Sequence, residues 1–222
     1  MVTDIIIPVR DQLYLTQSIV EQLDNMEGWS HCWIFDNGSV DDTWDWLYQW
    51  CLDHPKFSVL PAAGKTIYEM WNDGIYAARF ADHVLFLNND VALHSYTITA
   101  LNNALEAFDS NWIAYPDYNA VVAFGNFCNY RVTSGTYRHG GMSGFCFMLK
   151  RAKVDWEPLV DPQFIWWGGD DDIAFNVEAR HGRQVRVVGL SIVHLLEGTA
   201  RFHDLGEQKG KDLKAVIEKW GR

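Results

Sequence analysis

Apolar and polar positions along the first half of the chain follow two alternating periods. Residues 4–9 (Asp-Ile-Ile-Ile-Pro-Val) form a near-continuous apolar run, the pattern of a strand buried on both faces. Residues 11–26 then place Leu13, Leu15, Ile19, Val20 and Leu23 at mostly helical spacing. Residues 32–36 (Cys-Trp-Ile-Phe-Asp) predict a second buried strand. Asp41 and Asp42 open a second helix, since acids in a first turn suit the helix dipole. Its apolar face is expected to hold Trp44, Leu47, Tyr48 and Cys51. Residues 57–60 predict a strand, and residues 66–80 a helix with Ile67, Met70, Ile75 and Ala78 inward. Residues 83–87 (His-Val-Leu-Phe-Leu) predict a fourth strand.

Strands and helices alternating at such short intervals imply a mostly parallel sheet covered by helices on both faces. The second half is less regular. Helices are predicted over residues 95–108, 170–181 and 207–220, a strand over 143–150, and one or two strands over 184–194. Residues 111–137 carry no assignable period. There is no repeat, low-complexity tract or linker, so residues 1–222 read as one domain, with 1–94 binding nucleotide and 95–222 more variable.

Composition narrows the function classes. The 18 basic and 29 acidic residues give a net charge of −11, which argues against a dominant polyphosphate-coating surface. A local basic groove from Arg131, Arg138 and Lys150 remains compatible with that total. The chain is rich in aromatics, with 11 Trp, 12 Phe and 9 Tyr, and such rings line sugar and base sites as well as cores. Cys32, Cys51, Cys128 and Cys146 lack the C-x-x-C spacing of a structural zinc site and read as reduced thiols. No apolar run nears the ~20 residues of a membrane span, and no leader pattern opens the chain. A cytoplasmic protein without an integral membrane segment is therefore expected.

Ligands of open parallel sheets bind beyond the carboxyl ends of the strands, so the polar residues there carry the candidate chemistry. Arg10 and Asp11 follow the first strand, Asp36-Asn37-Gly38-Ser39 the second, and Asn88-Asn89-Asp90 the fourth. Asp36 is placed to accept hydrogen bonds from a base or ribose, and Gly38 lets backbone approach a ligand closely. The same tetrad also fits a turn and helix cap by Ser39 or Asp41. Asp90 suits a hard divalent cation on a diphosphate, which needs only one or two protein carboxylates, although Asn and Asp also form turns. His194, at the end of a late apolar strand, is a candidate second ligand, with His94 and His203 weaker. Lys65 in Ala-Ala-Gly-Lys-Thr lacks the full phosphate-loop spacing but is placed to touch a phosphate. Trp166-Trp167-Gly168-Gly169-Asp170-Asp171-Asp172 is the most unusual stretch. Crowded carboxylates suit a general base and paired Trp rings a sugar platform; a solvated acidic first turn beside buried tryptophans fits equally.

In this order and spacing, the pieces resemble a nucleotide-sugar glycosyltransferase of the GT-A fold, most similar to the family 2 type. Residues 5–10 (Ile-Ile-Ile-Pro-Val-Arg) match the family's first strand and nucleoside loop. Phe35 to Thr43 resembles its D-N-x-S-x-D-x-T stretch, and Trp71 to Ile75 its N-x-G element. Leu85 to Asp90 resembles the strand bearing its D-x-D metal motif. Gly168 to Asp172 resembles its G-G-E-D acceptor-side motif, and Lys219-Trp220-Gly221 a common family ending. His194 stands where the family has a late metal-ligating His. Two departures stand out: Asn88 replaces the first Asp of D-x-D, and Asp170 stands where the family usually has Glu.

The resemblance implies an α/β GT-A fold with a mostly parallel central sheet flanked by helices. It implies an inverting transferase that moves a sugar from a nucleotide-sugar, most simply a UDP-sugar, to an acceptor hydroxyl. Pro8, Val9, Arg10, Asp36, Gly38, Ser39, Lys65, Asn72, Asn88 and Asn89 are the implied donor contacts. Asp90 and His194 are the implied ligands of Mn2+ or Mg2+. Asp171 is the implied general base, with Asp170 the other candidate. Gly141, Trp166, Trp167 and Gly169 are the implied acceptor contacts, in a site shaped by the Gly140–Gly144 loop. The acceptor class stays open: a glycan, a glycolipid, a protein or a modified nucleobase. Two rival readings belong to other classes. A nucleotidyltransferase would show a Gly-rich basic stretch near residues 8–16, which is missing. A catalytically inactive sugar-nucleotide binder would account for the degenerate metal motif.

Overall fold

The computed structural model describes residues 1–116, 142–190, 192–194 and 206–221. The chain begins β1 (Thr3–Val9), α1 (Leu13–Asp24), β2 (His31–Asp36), α2 (Thr43–Asp53), β3 (Phe57–Pro61), α3 (Ile67–Ala77) and β4 (His83–Leu87). Then come β5 (Val91–Ala92), α4 (Thr97–Glu106), β6 (Asn111–Pro116) and β7 (Cys146–Lys150). A short 3-10 turn (Arg151–Lys153), α5 (Gly169–Ala179), β8 (Arg183–Val187), β9 (Val193–His194) and α6 (Gly206–Trp220) complete it.

Seven strands form one sheet in the order β3-β2-β1-β4-β7-β6-β8. The first four are parallel, β7 runs antiparallel to both β4 and β6, and β8 is parallel to β6. The sheet is thus mostly parallel, as the strand–helix alternation implies. Every residue of β1 and β4 is buried, because helices cover both faces. The pleat sorts their side chains by parity. Ile5, Ile7, Val9, Leu85 and Leu87 join one core with α1 and α4. Ile6, Val84 and Phe86 join the other with α3 and α5.

Local chemistry sets several boundaries. Thr66 and Glu69 cap α3 reciprocally: the Glu69 N–H donates to Thr66 Oγ1 and the Thr66 N–H to Glu69 Oε2. Gly168 enters α5 at φ +83, in the left-handed region, and a Cβ there would lie 2.5 Å from Val216 Cγ2. The expected face of α2 needs correction. Leu47 is buried, but Tyr48 is 51% exposed, and Trp46 and Trp50 pack on the core instead. Residues 111–116, which show no clear period, form β6; residues 117–137 lie outside the described part. Among the described residues, no helix is long and apolar enough to cross a membrane.

Candidate active site

The loops after β1 and β2 interlock. Asp11 and Gln12 both adopt left-handed backbone, at φ 54 and φ 59. Such strain in residues with a Cβ persists only where neighbours impose it. Here the neighbours come from the β2–α2 loop. The Asp11 N–H donates to Ser39 Oγ, the Val40 N–H to Asp11 Oδ1, and the Leu13 N–H to Asp41 Oδ2. Burial pushes the Asp41 carboxyl up, but hydrogen bonds from Thr43, Leu13 and Gln12 outweigh it and hold it below the ordinary range. Arg10 is the first exposed residue after β1, whereas Pro8 and Val9 are buried in it beside Phe35 and Asp36.

Asp36 is 3% exposed and caps its own turn, accepting from the Ser39 N–H at 2.9 Å and the Ser39 hydroxyl at 2.6 Å. Carboxylate oxygens have further lone pairs, so this leaves acceptor capacity at the strand end. Asn37 ties the β3–α3 loop to this turn: its amide donates to Lys65 O and its Oδ1 accepts from the Gly64 N–H. Gly38 (φ +69) lies against that loop, where a Cβ would sit 3.1 Å from Ala63 Cβ. Lys65 makes an ion pair with Asp73.

Two of the proposed donor contacts are engaged elsewhere. Asn72 donates to Val160 O and accepts from the Val160 N–H, both at 2.9 Å, clasping α3 to the segment before α5. The Asn89 amide donates to Thr16 Oγ1 of α1.

Asp90 and His194 meet through a small ladder. β5 and β9 pair antiparallel with Val91 opposite His194, which sets the imidazole beside the residue before Val91. His194 Nε2 lies 3.3 Å from Asp90 Oδ1. Asp90 is 2% exposed, yet that oxygen is a buried acceptor without a hydrogen bond. Two ligands each ~2.1 Å from one ion, at a right angle, stand ~3 Å apart. The pair therefore fits two adjacent positions around a divalent cation, and the orphaned oxygen is the kind of atom such an ion satisfies. Among the described residues there is no cluster of three or more His, Cys, Asp or Glu that would hold a metal.

The acidic run opens α5 as expected, but its three members do different work. Asp170 accepts from the Gly144 N–H at 3.1 Å and from the Asp171 N–H at 3.0 Å. Asp171 is 3% exposed. Asp172, 1% exposed, is no solvated first-turn acid. It pairs with Lys219 at 2.8 Å and accepts from Trp220 Nε1 and the Asp161 N–H. Gly169 packs so closely on Tyr68 that a Cβ there would strike the ring. Burial, then the charge of Asp170, push the Tyr68 phenol well above its ordinary value, against a lowering hydrogen bond from the Gly169 backbone.

One dipeptide joins the metal-fitting pair to the acidic run. The Gly144 N–H holds Asp170, the Phe145 carbonyl accepts from the Asn88 N–H, and the Phe145 ring stacks on His194 at 4.3 Å. Asn88, His194 and Asp170 therefore all contact residues 144–145, just before β7, and Asp90 is linked to them through His194. Trp166 and Trp167, just ahead of the acidic run in sequence, are half-buried. Gly141, Arg131, Arg138 and His203 lie outside the described residues. Lys150 lies at the other end of β7, opposite the first residue of β4, and pairs with Glu106.

Sequence reasoning missed three participants: Tyr68, Asn72 as a clasp, and Asp212. Asp212, on α6, accepts from the Ile165, Trp166 and Trp167 N–H groups. Nothing local marks these roles, because the deciding partners are remote in sequence: 45 positions separate Asp212 from Trp167, and 88 separate Asn72 from Val160.

No protein-family model matches the chain, and no curated protein matches it in sequence. Solved structures do match. The chain is similar to a mannosyltransferase from Pyrobaculum calidifontis in complex with GDP-Man and Mn2+, at TM-score 0.72 and 15% identity. That match covers 98% of this chain and 63% of the other. It is similar to GalNAc-T7, solved with UDP, GalNAc and Mn2+, at TM-score 0.74 and 14% identity over 99% and 48% of the two chains. It is also similar to glucosyl-3-phosphoglycerate synthase from Mycobacterium tuberculosis, in complex with Mn2+, UDP and glucosyl-3-phosphoglycerate. There the TM-score is 0.66 and the identity 14%, over 99% and 80%. This chain thus spans less than two thirds of the first two. Shared architecture at such low identity establishes the fold: the protein has a GT-A-like α/β fold with a mostly parallel central sheet flanked by helices.

Proposed function

We propose that the protein is a metal-assisted, inverting glycosyltransferase that moves a sugar from a nucleotide-sugar, UDP-linked in the first instance, to an acceptor hydroxyl. The observation that carries this reading is the link through Gly144-Phe145: the Gly144 N–H donates to Asp170, and the Phe145 ring stacks on His194, which lies beside Asp90. It supports reading the Asp90–His194 pair and the acidic run as parts of one site at the carboxyl ends of the parallel strands. The three similar structures, each solved with a nucleotide or nucleotide-sugar and Mn2+, support it.

In this reading the strained loop after β1 and the Asp36–Ser39 turn form the nucleoside pocket, with Pro8 and Val9 as its floor, Arg10 at its rim and Gly38 admitting the ligand. Lys65 and Asn88 face the diphosphate. Asp90 and His194 hold Mn2+ or Mg2+, which when bound supplies charge stabilisation for the departing nucleoside diphosphate. Asp171 takes the proton of the acceptor hydroxyl. The acceptor oxygen bonds to the anomeric carbon from the face opposite the breaking carbon–phosphate-oxygen bond. Asp170, already holding two amide donors, suits a supporting role. Trp166, Trp167 and Gly169 border the acceptor.

Replacing Asp171 by Asn tests the assignment. Nucleoside diphosphate release from a sugar nucleotide should fall by at least ~10^2-fold, the usual scale for losing a general base, while donor binding persists. Retained turnover moves the base to Asp170 or removes the mechanism. The degenerate motif at Asn88 favours one second reading, a sugar-nucleotide binder without turnover; donor binding with no release by the unaltered protein would establish it.

A further inference from the structure

We propose that Asp212 is a positioning residue for the acceptor side, holding the Trp166–Asp171 segment in its working shape from a different element, α6. This rests on the transferase reading and adds a part to it.

Asp212 is 1% exposed. Its oxygens accept from three consecutive backbone N–H groups, Ile165 (3.3 Å), Trp166 (2.9 Å) and Trp167 (3.0 Å), and from Gln208 Nε2 (2.8 Å). No Lys, Arg or His pairs with it among the described residues. Burying a carboxylate is costly unless it is hydrogen-bonded, and among the described residues this one is compensated by three backbone amides of one loop and by Gln208. Fixing an irregular backbone is what that geometry achieves, since three successive amides aimed at one carboxylate allow few loop shapes.

The loop so fixed leads directly into the acidic run. Trp167 is followed by Gly168, whose missing Cβ admits Val216 of α6, and by Gly169, whose missing Cβ admits Tyr68. Asp170 and Asp171 come next. Tyr68 in turn feels the charges of Asp170, Asp212 and Asp171. Lys209, three residues before Asp212, lies 5.5 Å over the Trp167 ring. α6 thus meets the backbone of both tryptophans and the ring of Trp167.

Asp212→Asn keeps the shape of the side chain but sets an amide group against N–H donors. Three readouts are compared with the unaltered protein. The first is hydrogen exchange of residues 165–167, expected to quicken at least ~10-fold as the charged acceptor is lost. The second is the thermal response to UDP and GDP with Mn2+, expected to stay within about twofold in apparent affinity, since a positioning role on the acceptor side leaves the donor pocket alone. The third is nucleoside diphosphate release from UDP-glucose and GDP-mannose in the presence of p-nitrophenyl glycosides, expected to fall by up to ~10^2-fold through misplacement. Gln208→Ala, which leaves the carboxylate in place, should move the first and third readouts in the same direction by less. It keeps the test open if Asp212→Asn fails to fold. Unchanged exchange, or an unchanged rate, overturns the proposal. A loss of nucleotide response in step with the rate makes Asp212 a general stability element and also overturns it. If the unaltered protein shows no nucleotide response, the transferase reading itself fails, and the positioning claim with it.

Discussion

Replacing Lys219 by Met probes the link between α6 and the acidic run. The Lys219 ammonium lies 2.8 Å from Asp172 Oδ1 and 2.9 Å from Asp161 Oδ2. Asp172 is 1% exposed and the Lys219 side chain 29%. Removing one partner of a buried ion pair costs about 3–5 kcal/mol, because the other charge stays behind uncompensated. Two features reduce that here. Solvent reaches the lysine, and Asp172 keeps the Trp220 indole N–H at 2.8 Å and the Asp161 N–H at 3.0 Å. About 2–3 kcal/mol is therefore expected. For a chain of this size each kcal/mol moves the thermal midpoint by about 2–4 °C, so Lys219→Met should melt about 4–12 °C lower. Differential scanning calorimetry reads this directly. Lys214→Met is the control: its ammonium pairs with Glu218 at 3.5 Å on an exposed face and should leave the midpoint within about 1 °C. A fall of less than about 2 °C for Lys219→Met would refute the claim that this lysine neutralises a buried charge.

The same pair sets a pH dependence. Burial works to lower the Lys219 pKa, but hydrogen bonds and charge from Asp172 and Asp161 outweigh it and raise it. Its stabilisation is then fully present below the unfolded lysine value of about 10.4 and lost as pH climbs through the raised folded value, so the gap between Lys219→Met and the unaltered protein should narrow in denaturant titrations as pH rises beyond that unfolded value. Gly169→Ala should lower stability by about 1–3 kcal/mol, because the new methyl meets the ring of Tyr68, which is 4% exposed and cannot retreat; an unchanged urea midpoint would show that the ring yields freely. Asp90→Asn should abolish the extra thermal shift that Mn2+ adds to a nucleoside diphosphate while leaving the metal-free shift; an undiminished Mn2+ effect would place the cation elsewhere.

Much of the first half was legible because buried parallel strands write themselves as unbroken apolar runs. Residues 4–9, 32–36 and 83–87 are such runs, and they are β1, β2 and β4. The polar residues ending them follow from chain direction alone, which is why Asp36 and Asp90 were visible as candidates. The face of α2 was misjudged at Tyr48, since two further tryptophans at positions 46 and 50 compete for the core and periodicity cannot rank them. The approach of Asp90 to His194 depends on the pairing of two-residue strands, too short to show a period. The roles of Asp172 and Asp212 depend on where α6 docks. An amphipathic pattern shows that residues 207–220 bury one face, but not that this face receives α5, the tryptophan loop and their carboxylates.

In the proposed function the strand ends of this sheet bind a nucleotide-sugar around a cation. The most direct measurement is the thermal midpoint of the purified protein with UDP, GDP, CDP and ADP and their common sugar conjugates, each with and without Mn2+. A ligand at 100 times its dissociation constant adds about 2.7 kcal/mol, or about 5–11 °C for a chain of this size. A shift of that order is expected with one nucleoside diphosphate, enlarged by Mn2+. No shift with any of them, from a protein that unfolds cooperatively, would contradict it and leave only the fold.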